Sequence, residues 1–342
     1  MGVKIGDLVI KDKIEISDLS GKSIAIDAYN TIYQFLSTIR QKDGTPLMNS
    51  KGIITSHLSG LFHRSIKLLE NDIEIVYVFD GKPPSFKEET VKSRREIKED
   101  AKVKWEKALK EGNLEEAKKY AQMTSKLTSE MVEDAKELLD AMGIPHMQAV
   151  SEGEAQGSYM AKKGIVDYCA SQDYDSLLFG CPEMVRNLTL SGRRKIPGRN
   201  TYIDITPEII NLQKSLDVLN ITREKLIWLS LMIGTDYNKG VNGIGPKKGY
   251  KIVKESETIE DVYIKSKCDE GIELWKSIEE YFLNPEIINE KPNFNKKMDY
   301  DKVIEVMCDK NEFSVERTKV TLNNFMKIKK ELNQPKLGEW FK

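Results

Sequence analysis

The sequence predicts an α/β fold in which a mostly parallel central sheet carries helices on both of its faces. Up to residue 205, short runs of apolar and β-branched residues alternate with longer amphipathic segments. Several short runs end on an acidic residue, as residues 75–79 do at Asp80, which Gly81 and two prolines follow closely. After residue 206 the pattern becomes mostly helical, which predicts helices for the remainder of the chain.

Composition limits the class of protein. The chain has 342 residues, of which 39% are hydrophobic and 31% charged, so it can bury a substantial core. No apolar run has the length of a membrane span, and the first residues lack the apolar stretch of a signal peptide. The four cysteines form no CxxC pair and the three histidines show no metal-ligand spacing. This pattern indicates a reducing compartment and favours oxygen ligands for any metal.

The individual elements follow from the spacing of apolar residues. Strands are predicted where runs of strand length are bounded by polar or turn residues, at 23–26, 75–79, 144–149, 166–171, 184–190 and 202–205. Helices are predicted where apolar residues recur every three or four positions, at 29–39, 53–69, 125–142, 151–163 and 224–233. Gly143 and Pro145 end the third of these helices, and Pro246 begins a later one.

Residues 82–123 differ from their surroundings, because charged residues crowd this segment and apolar residues are sparse. Such a composition is typical of a solvent-exposed pair of helices with many ion pairs between residues four apart. A functional interpretation is also open, in which the segment is a mobile arch over a site.

Basic residues gather in two places although the net charge is only −1. No acid interrupts residues 191–202, which include Arg193, Arg194, Lys195 and Arg199. Residues 239–254 also lack acids and carry five lysines around a glycine-rich turn that enters a helix. Such a turn presents free N–H groups to phosphate, so both patches favour local binding of a polyanion.

Acidic residues stand at the ends of predicted strands or the starts of predicted helices. Each has a structural explanation on its own; Ser151-x-x-Glu154, for instance, has the pattern of a helix capping box. Together they predict a metal centre, because the strand ends of a parallel sheet converge on one edge and uncompensated carboxylates there raise each other's pKa. The seven residues are Asp27, Asp80, Glu152, Glu154, Asp173, Asp175 and Asp236.

Hard divalent cations suit such a cluster. Mg²⁺ takes oxygen ligands, and two ions about 4 Å apart suit the hydrolysis of a phosphodiester by in-line attack. Glu152 and Glu154 diverge on a regular helix, so either they serve different ions or Glu152 lies before the regular helix begins. A phosphatase with an Asp-x-Asp nucleophile fits less well, because Asp27 is not followed by a second acid two residues on.

The motifs around these acids resemble those of the flap endonucleases, the structure-specific 5′-nucleases of DNA replication and repair. The resemblance extends over nearly the whole chain, and its motifs are IAIDA (24–28), VFDGKPP (78–84), SEGEAQ (151–156), QDYD (172–175), GTDYN (234–238) and GIGPK (243–247). It implies a 5′-nuclease (PIN-like) fold with a helical arch and a helix–two-turn–helix. It implies cleavage at the base of 5′ flaps, with 5′-3′ exonuclease activity, that leaves a 5′-phosphate and a ligatable nick. The seven acids would hold two Mg²⁺ ions, for which Mn²⁺ can substitute.

The resemblance also implies roles for residues that the pattern alone would leave structural. Lys87 and Arg94, otherwise part of a solvated helix surface, would lie at the base of the arch near the scissile phosphate as cationic clamps. Tyr33, otherwise a core aromatic residue, would stack on a base near the cut. A helix–two-turn–helix around residues 240–253 would hold K⁺ in its turn and bind the phosphates of one duplex arm through Gly243, Gly245, Lys247 and Lys248.

The predicted organisation is one nuclease domain over residues 1–332 and a tail over residues 333–342. Within the domain, 1–81 and 127–238 form the core, 82–126 the helical arch, 239–256 the helix–two-turn–helix, and 257–332 the last helices. The tail resembles the motif by which replication proteins bind the sliding clamp (PCNA), with Gln334, Leu337, Trp340 and Phe341 as its contacts. The chain stops directly after this motif, so the resemblance is to the archaeal type. It implies a cytoplasmic monomer that works on the chromosome.

Two alternatives to a flap endonuclease stay open. The first is a related nuclease that cuts bubbles, ends or RNA, although the bubble-cutting type carries a much longer insertion at the arch. The second is a non-catalytic DNA junction binder recruited by the clamp. Seven acids disfavour it, because negative charge beside phosphate weakens binding unless the acids serve catalysis.

The helix that follows Glu154 departs from the family pattern at one position. Gly157 stands where the family usually has alanine. Because glycine is a poor helix former, we expect this change mainly to loosen the helix, by up to about 1 kcal/mol.

Overall fold

The predicted sheet is present. The structure, a computed structural model, describes residues 2–189, 193–195 and 202–332, without the side chains of residues 88–91, 93–94, 193–195 and 202–204. In this part of the chain the strands are β1 (Asp12–Lys13), β2 (Ser23–Asp27), β3 (Glu74–Phe79), β4 (His146–Gln148), β5 (Tyr168–Ala170), β6 (Glu183–Arg186), β7 (Arg193–Lys195), β8 (Tyr202–Asp204) and β9 (Glu208–Asn211). Seven of them form one sheet in the spatial order β1-β9-β6-β5-β2-β3-β4.

Strand pairing makes the sheet mostly parallel, as predicted. β2 lies between β3 and β5, and the pairs β2–β3, β2–β5, β3–β4 and β5–β6 are all parallel. Two antiparallel strands close one edge, since β9 pairs with β6 and β1 pairs with β9. β7 and β8 form a separate two-stranded antiparallel sheet.

Helices occupy most of the remaining chain. They are α1 (Ala28–Thr38), α2 (Ser56–Glu70), α3 (Glu88–Lys110), α4 (Leu114–Met123), α5 (Ser129–Ala141), α6 (Gly153–Lys162), α7 (Asp175–Leu178), α8 (Leu212–Leu219), α9 (Arg223–Ile233), α10 (Pro246–Lys254), α11 (Ile259–Ser266), α12 (Ile272–Leu283), α13 (Tyr300–Ile304) and α14 (Val315–Leu332). Short 3-10 turns lie at Ile16–Leu19 and Ser85–Lys87, and a π-helical segment lies at Glu305–Lys310. Among the described residues, no helix is both long and apolar enough to cross a membrane.

The two faces of the sheet are covered by different helices, because successive side chains of a strand point to opposite faces. In β3, Ile75, Tyr77 and Phe79 belong to a core cluster that also contains residues of α1, α2 and α5. Val76 and Val78 belong to a second cluster on the other face, together with Met160 of α6. The same alternation holds in β2, so both central strands are buried on both faces, which is typical of a parallel sheet.

Some boundaries predicted from sequence were wrong. The helix predicted from residue 53 begins at Ser56, because residues 48 and 54 form an isolated antiparallel bridge first. The helix predicted from residue 125 begins after Thr128, whose side chain caps it. The strand predicted at 184–190 is shorter and ends at Arg186, and the strand predicted at 202–205 pairs with β7 outside the main sheet.

β9 was not predicted, because residues after 206 were assigned to helices. Its four residues are too few to show a periodicity. Tertiary contacts define it: Ile210 is fully buried and pairs with Met184 of β6. The short strand is therefore fixed by its neighbour and not by its own sequence.

The charged segment forms the predicted pair of helices, α3 and α4. They pack against each other through small residues, including the buried Ala101, Ala108 and Ala117. The second helix, α4, packs against the loop after α1, where a Cβ added to Gly44 would lie 2.6 Å from the Cβ of Ala121. Arg40 reinforces this contact by donating to Ser125 Oγ at 2.9 Å. The arch is thus attached to the core at its return as well as at its start.

Candidate metal centre and active site

Parallel pairing brings the first acids of the predicted cluster to one edge of the sheet. Asp27 is the last residue of β2 and pairs in register with Val78 of β3, two residues before Asp80. Asp27 also caps α1, because its Oδ1 accepts from the backbone N–H of Asn30 at 2.9 Å. Asp80 directly follows β3, and its Oδ1 accepts a hydrogen bond from the backbone N–H of Gly153 at 2.7 Å. The two acids are therefore held by the starts of two different helices.

The acids of α6 occupy two different backbone positions. Glu152 is the extended residue that precedes the helix, with φ −86° and ψ 136°, while Glu154 lies in its first turn. This is the second of the two arrangements that the sequence left open. The capping-box interpretation was wrong, because Ser151 does not cap the helix but shares a 2.7 Å hydrogen bond with the Tyr281 hydroxyl. Glu154 instead accepts from Ser171 Oγ at 2.6 Å.

Asp173 and Asp175 follow β5 and contact the N-terminal segment of the chain. The backbone N–H of Val3 donates to Asp175 Oδ1 at 2.9 Å. A Cβ added to Gly2 would lie 2.7 Å from the Cβ of Asp173, so there is no room for a larger residue at this position. The sequence analysis considered the first residues only for the absence of a signal peptide and missed that they support this acidic turn.

Asn30 is a second residue that the sequence analysis missed. Its backbone N–H binds Asp27, and its Nδ2 donates to Asp173 Oδ2 at 2.9 Å. It therefore links the acid after β2 to the acid after β5. The spacing Asp-x-x-Asn at a helix start was the available signal, but it indicates only the cap and not the second bond.

The acids act on one another electrostatically. Burial, and then the charge of Asp80, raises the pKa of Asp27 well above its usual value. Burial, and then Asp175, raises the pKa of Glu154 in the same direction. Burial and Glu152 raise the pKa of Asp80 to about 6, although the N–H of Gly153 and the Lys87 charge oppose this. Such mutual effects require the groups to lie close together.

Asp236 joins the cluster from the helical part of the chain. It follows α9 after Gly234, which ends the helix with a φ of 101° that favours glycine. Burial, and then the charge of Asp236, raises the pKa of Asp175 to about 7. The charge of Asp236 also contributes to raising the pKa of Lys87, after the larger effects of burial, which opposes it, and of Glu152 and Asp80.

Lys87 enters the cluster from the base of the arch. Its Nζ lies 2.8 Å from Oε1 and 2.7 Å from Oε2 of Glu152, and only 13% of its side chain is exposed. Although burial lowers its pKa, Glu152 and Asp80 outweigh this effect and raise it. The ring of Tyr237 lies under the ammonium group at 5.6 Å. Lys87 is therefore not part of a solvated helix surface, whereas the side chain of Arg94 lies outside the described residues.

The donor set fits hard divalent cations. All seven predicted ligands are carboxylates, and several of them hold one another's pKa above the usual range, which a bound cation would reverse. The acids line a common edge and do not form a ready-made cage, since no group of three or more Asp, Glu, His or Cys among the described residues could hold an ion as placed.

The other predicted site residues belong to α1, to the turn before α10 and to the tail. Tyr33 is half-buried and is not a core residue, and the ammonium of Lys98 in the arch lies 4.7 Å from the centre of its ring. Gly245 caps α10, which begins with Pro246 as predicted. The further residues predicted at this turn, Gly243, Lys247 and Lys248, are all exposed. The tail contacts Gln334, Leu337, Trp340 and Phe341 lie outside the described residues.

Two protein-family models match the two segments of the chain that carry the predicted acids. Residues 2–101 match the XPG N-terminal domain, and residues 143–236 match the XPG I-region. Flap endonuclease 1 of Pyrococcus horikoshii is 54% identical over 342 residues, which cover 100% of this chain and 98% of that protein. Flap endonuclease 1 of Pyrococcus furiosus is 52% identical over 346 residues, covering 100% of both.

This chain belongs to the flap endonuclease 1 family. It is therefore a nuclease, as its motifs predicted. Among solved structures, flap endonuclease-1 from Methanococcus jannaschii is similar with a TM-score of 0.74 at 43% identity, over 96% of this chain and 98% of that one. The catalytic core of Rad2 in complex with DNA substrate has a TM-score of 0.68 at 22% identity, over 95% of this chain and 100% of that one, which shows a common fold alone. The predicted 5′-nuclease fold is thereby confirmed.

Proposed function

We propose that this member of the flap endonuclease family cuts DNA at the base of 5′ flaps by metal-dependent hydrolysis, leaving a 5′-phosphate and a ligatable nick, with 5′-3′ exonuclease activity. The observation that carries the proposal is the edge of the sheet where seven carboxylates meet and Lys87 reaches Glu152. A pure DNA binder would not need this arrangement, because uncompensated acids repel phosphate.

The carboxylates fall into two neighbourhoods that would hold two Mg²⁺ ions, with Mn²⁺ as a substitute. Besides burial, Glu152 raises the pKa of Asp80, and Asp175 raises the pKa of Glu154. Besides burial, Asp80 and Glu152 raise the pKa of Asp27, which in turn raises that of Glu154; this supports a position of Asp27 between the two groups. After burial, Asp236 and Asp173 raise the pKa of Asp175, so we assign them to the same neighbourhood. When bound, the ions supply an activated water and neutralise charge on the phosphate.

Residues of the chain itself would orient the scissile phosphate. Lys87 carries its charge at the edge of the acid cluster, where the Tyr237 ring limits the positions of its ammonium. A cation fixed at this position stabilises the charge that develops on phosphate oxygens. Arg94 would act as a second cation from the same base of the arch. Tyr33, half-buried beneath Lys98, would stack on the base next to the cut.

The turn before α10 would bind one duplex arm through its phosphates. Gly243 has a φ of 75°, and a Cβ added to Gly243 or Gly245 would meet nothing within 4 Å, so a backbone can approach both closely. The first amides of α10 are oriented toward the same space, with Lys247 and Lys248 exposed beside them. The turn would also hold K⁺, as in the family.

The tail would bind the sliding clamp (PCNA) through Gln334, Leu337, Trp340 and Phe341, because an aromatic pair after an aliphatic residue is a typical anchor at a binding surface. Removal of residues 333–342 should spare cleavage by the isolated monomer and abolish stimulation by the clamp. Full stimulation of the truncated protein would contradict this assignment.

A gel assay on labelled double-flap DNA tests the main proposal. The chain should cut at the flap base with Mg²⁺, leave a 5′-phosphate, and be inactive with EDTA. Single-stranded DNA and an RNA duplex are the controls. Tight binding without cleavage would favour the junction binder, and preference for bubbles, ends or RNA would favour a related nuclease.

A further inference from the structure

A pocket of about 280 Å³ opens beside the acid cluster and has no role in the chemistry described above. It lies where the first turns of α5, the start of α1 and the edge strand β4 meet. Its polar lining comes from Tyr29, Thr128, Ser129, Glu133, Lys136 and Gln148. The volume is at the lower end of the range for small-molecule sites, which is about 300–1,000 Å³.

The pocket is directly connected to the strand that delivers Asp80. Gln148 Nε2 donates to the backbone carbonyls of Phe79, at 3.4 Å, and Asp80. The ring of Tyr29 packs edge-on against Phe79, with centroids 6.2 Å apart. Lys136 covers another side of Phe79, with its Nζ 5.3 Å from the ring centre. A ligand in the pocket would therefore lie next to the end of the strand that carries Asp80.

Tyr29 stands one helical turn before Tyr33 on α1. Residues four apart on a helix are neighbours on one face, with about 5–6 Å between their Cβ atoms. Both rings are half-buried, so each keeps an accessible part. Two such rings in a row resemble the platforms on which proteins stack successive bases of a single strand.

The chemistry of the lining favours a base over a phosphate. Lys136 is already paired with Glu133 at 2.9 Å, so the two charges cancel locally and offer phosphate little net attraction. The hydroxyls of Thr128 and Ser129, the Glu133 carboxylate and the Gln148 amide together present both donors and acceptors. Groups of this kind suit the polar edge of a heterocycle whose face lies on an aromatic ring.

We propose that this pocket binds one unpaired nucleobase of the 5′ flap, stacked on Tyr29, while the neighbouring nucleotide lies at Tyr33. The inference rests on the proposed function, because it requires a single-stranded flap at this side of the acid cluster. It assigns Tyr29 to recognition of the flap and not to the chemical step.

Flaps that lack a single base test the proposal. Each of the first four flap positions is replaced in turn by an abasic residue, and cleavage is followed at limiting enzyme. The rate of cleavage by the wild type should fall about fivefold or more when the abasic residue replaces the nucleotide whose base occupies the pocket. Stacking of one base is worth roughly 1–3 kcal/mol. Tyr29→Leu should cut the complete flap more slowly by a similar factor and lose its sensitivity at that position alone. Tyr29→Phe should behave as the wild type.

Two further variants keep the test decisive. Ser129→Trp fills the pocket from its rim without touching the Phe79 contact, and should remove sensitivity at the same position. Tyr168→Leu, at the amino end of β5 and outside the pocket lining, should keep the wild-type profile. The proposal is overturned if Tyr29→Leu and Ser129→Trp retain the full abasic profile of the wild type. If the wild type cuts no flap at all, the proposed function fails instead, whereas flap cleavage without any abasic effect contradicts the pocket assignment alone.

Discussion

The ammonium group of Lys87 lies 2.7 Å from Oε2 of Glu152, in a pair of which neither side chain is more than 13% exposed. The pair connects the base of the arch to the start of α6, so the arch cannot move at this end without breaking it. Because Glu152 also belongs to the acid cluster, a cation held there would share this carboxylate with Lys87. The position of the arch would then depend on whether the proposed metal centre is occupied.

We expect Lys87→Met to lower the single-turnover rate on double-flap DNA by about 10²–10³-fold, the usual effect of removing one preorganised charge from a transition state. DNA binding should change little, because many phosphates contribute to it. Lys82→Met is the matched control, since Lys82 is exposed and lies five residues away. A Lys87→Met rate within threefold of wild type would contradict the clamp role.

We expect Asp175→Asn to abolish cleavage and, with EDTA present, to raise the free energy of unfolding by roughly 1–3 kcal/mol. The reason is that burial and the neighbouring acids disfavour the charged form of Asp175, whose pKa is raised to about 7. Mg²⁺ should stabilise the wild type and stabilise the variant less. Asp80→Ala should likewise abolish cleavage while DNA binding survives.

Urea unfolding with EDTA and with Mg²⁺ measures these stability effects, and the flap assay measures the activities. Asp309→Asn, at an exposed position, should alter neither. Retained cleavage in both the Asp175 and Asp80 variants would refute the metal assignment. An Asp175→Asn protein that is less stable than wild type in EDTA would refute the electrostatic explanation.

We expect Gly81→Ala to destabilise the fold by about 1–3 kcal/mol and to impair cleavage, because it overpacks the turn after β3. An added Cβ would lie 2.2 Å from the carbonyl oxygen of Ala149 and 2.3 Å from that of Val150, and backbone atoms cannot easily move aside. Thermal unfolding measures the cost. Gly271→Ala is the control, because its Cβ would meet nothing within 4 Å. Equal effects of the two substitutions would argue against the clash.

We expect Gly157→Ala not to give the gain of about 1 kcal/mol that helix propensity alone predicts. Its Cβ would lie 2.8 Å from the sulfur of Cys169 in β5, so the glycine accommodates this thiol and does not merely loosen α6. The double variant Gly157→Ala/Cys169→Ala should lose less free energy of unfolding than the two single variants lose in total. Additive free energies of unfolding in this cycle would show that the contact is unimportant.

We expect His57 to make the fold sensitive to acid. Burial lowers its pKa to about 4, and neither ring nitrogen has a hydrogen-bond partner within the described residues. The unfolded chain binds a proton on this ring below about pH 6.5 while the folded chain does not. Stability is therefore complete above that pH and falls as the pH drops toward 4, by up to about 3 kcal/mol.

Substituting His57 isolates this contribution. His57→Leu should lose about 2 kcal/mol less stability than the wild type between pH 7.5 and pH 5, measured by urea unfolding in EDTA. Identical losses in the two proteins would show that the ring is protonated in the fold. At pH 7.5 the variant should be about as stable as the wild type, because leucine leaves no polar atom unpaired.

The fold class and the candidate metal ligands could be predicted from the sequence alone. Apolar runs of strand length marked most strands of the sheet, and the acids were visible at strand ends, at a helix start or, for Asp236, after a helix. The motifs then sufficed to indicate the family. These features are local, so a single sequence carries them: a strand, its terminal carboxylate and the following turn lie within a few residues of one another.

How the acids are held, and which residues lie beside them, depends on tertiary contacts. Asn30, whose backbone N–H binds Asp27, reaches Asp173 across 143 residues of chain, and Val3 supports Asp175 across 172. β9 exists because β6 pairs with it, and the Tyr29 pocket exists because α1, α5 and β4 meet there. These features depend on contacts between distant segments, whose free energy appears only when the chain has folded, and a one-dimensional pattern of residues does not contain it.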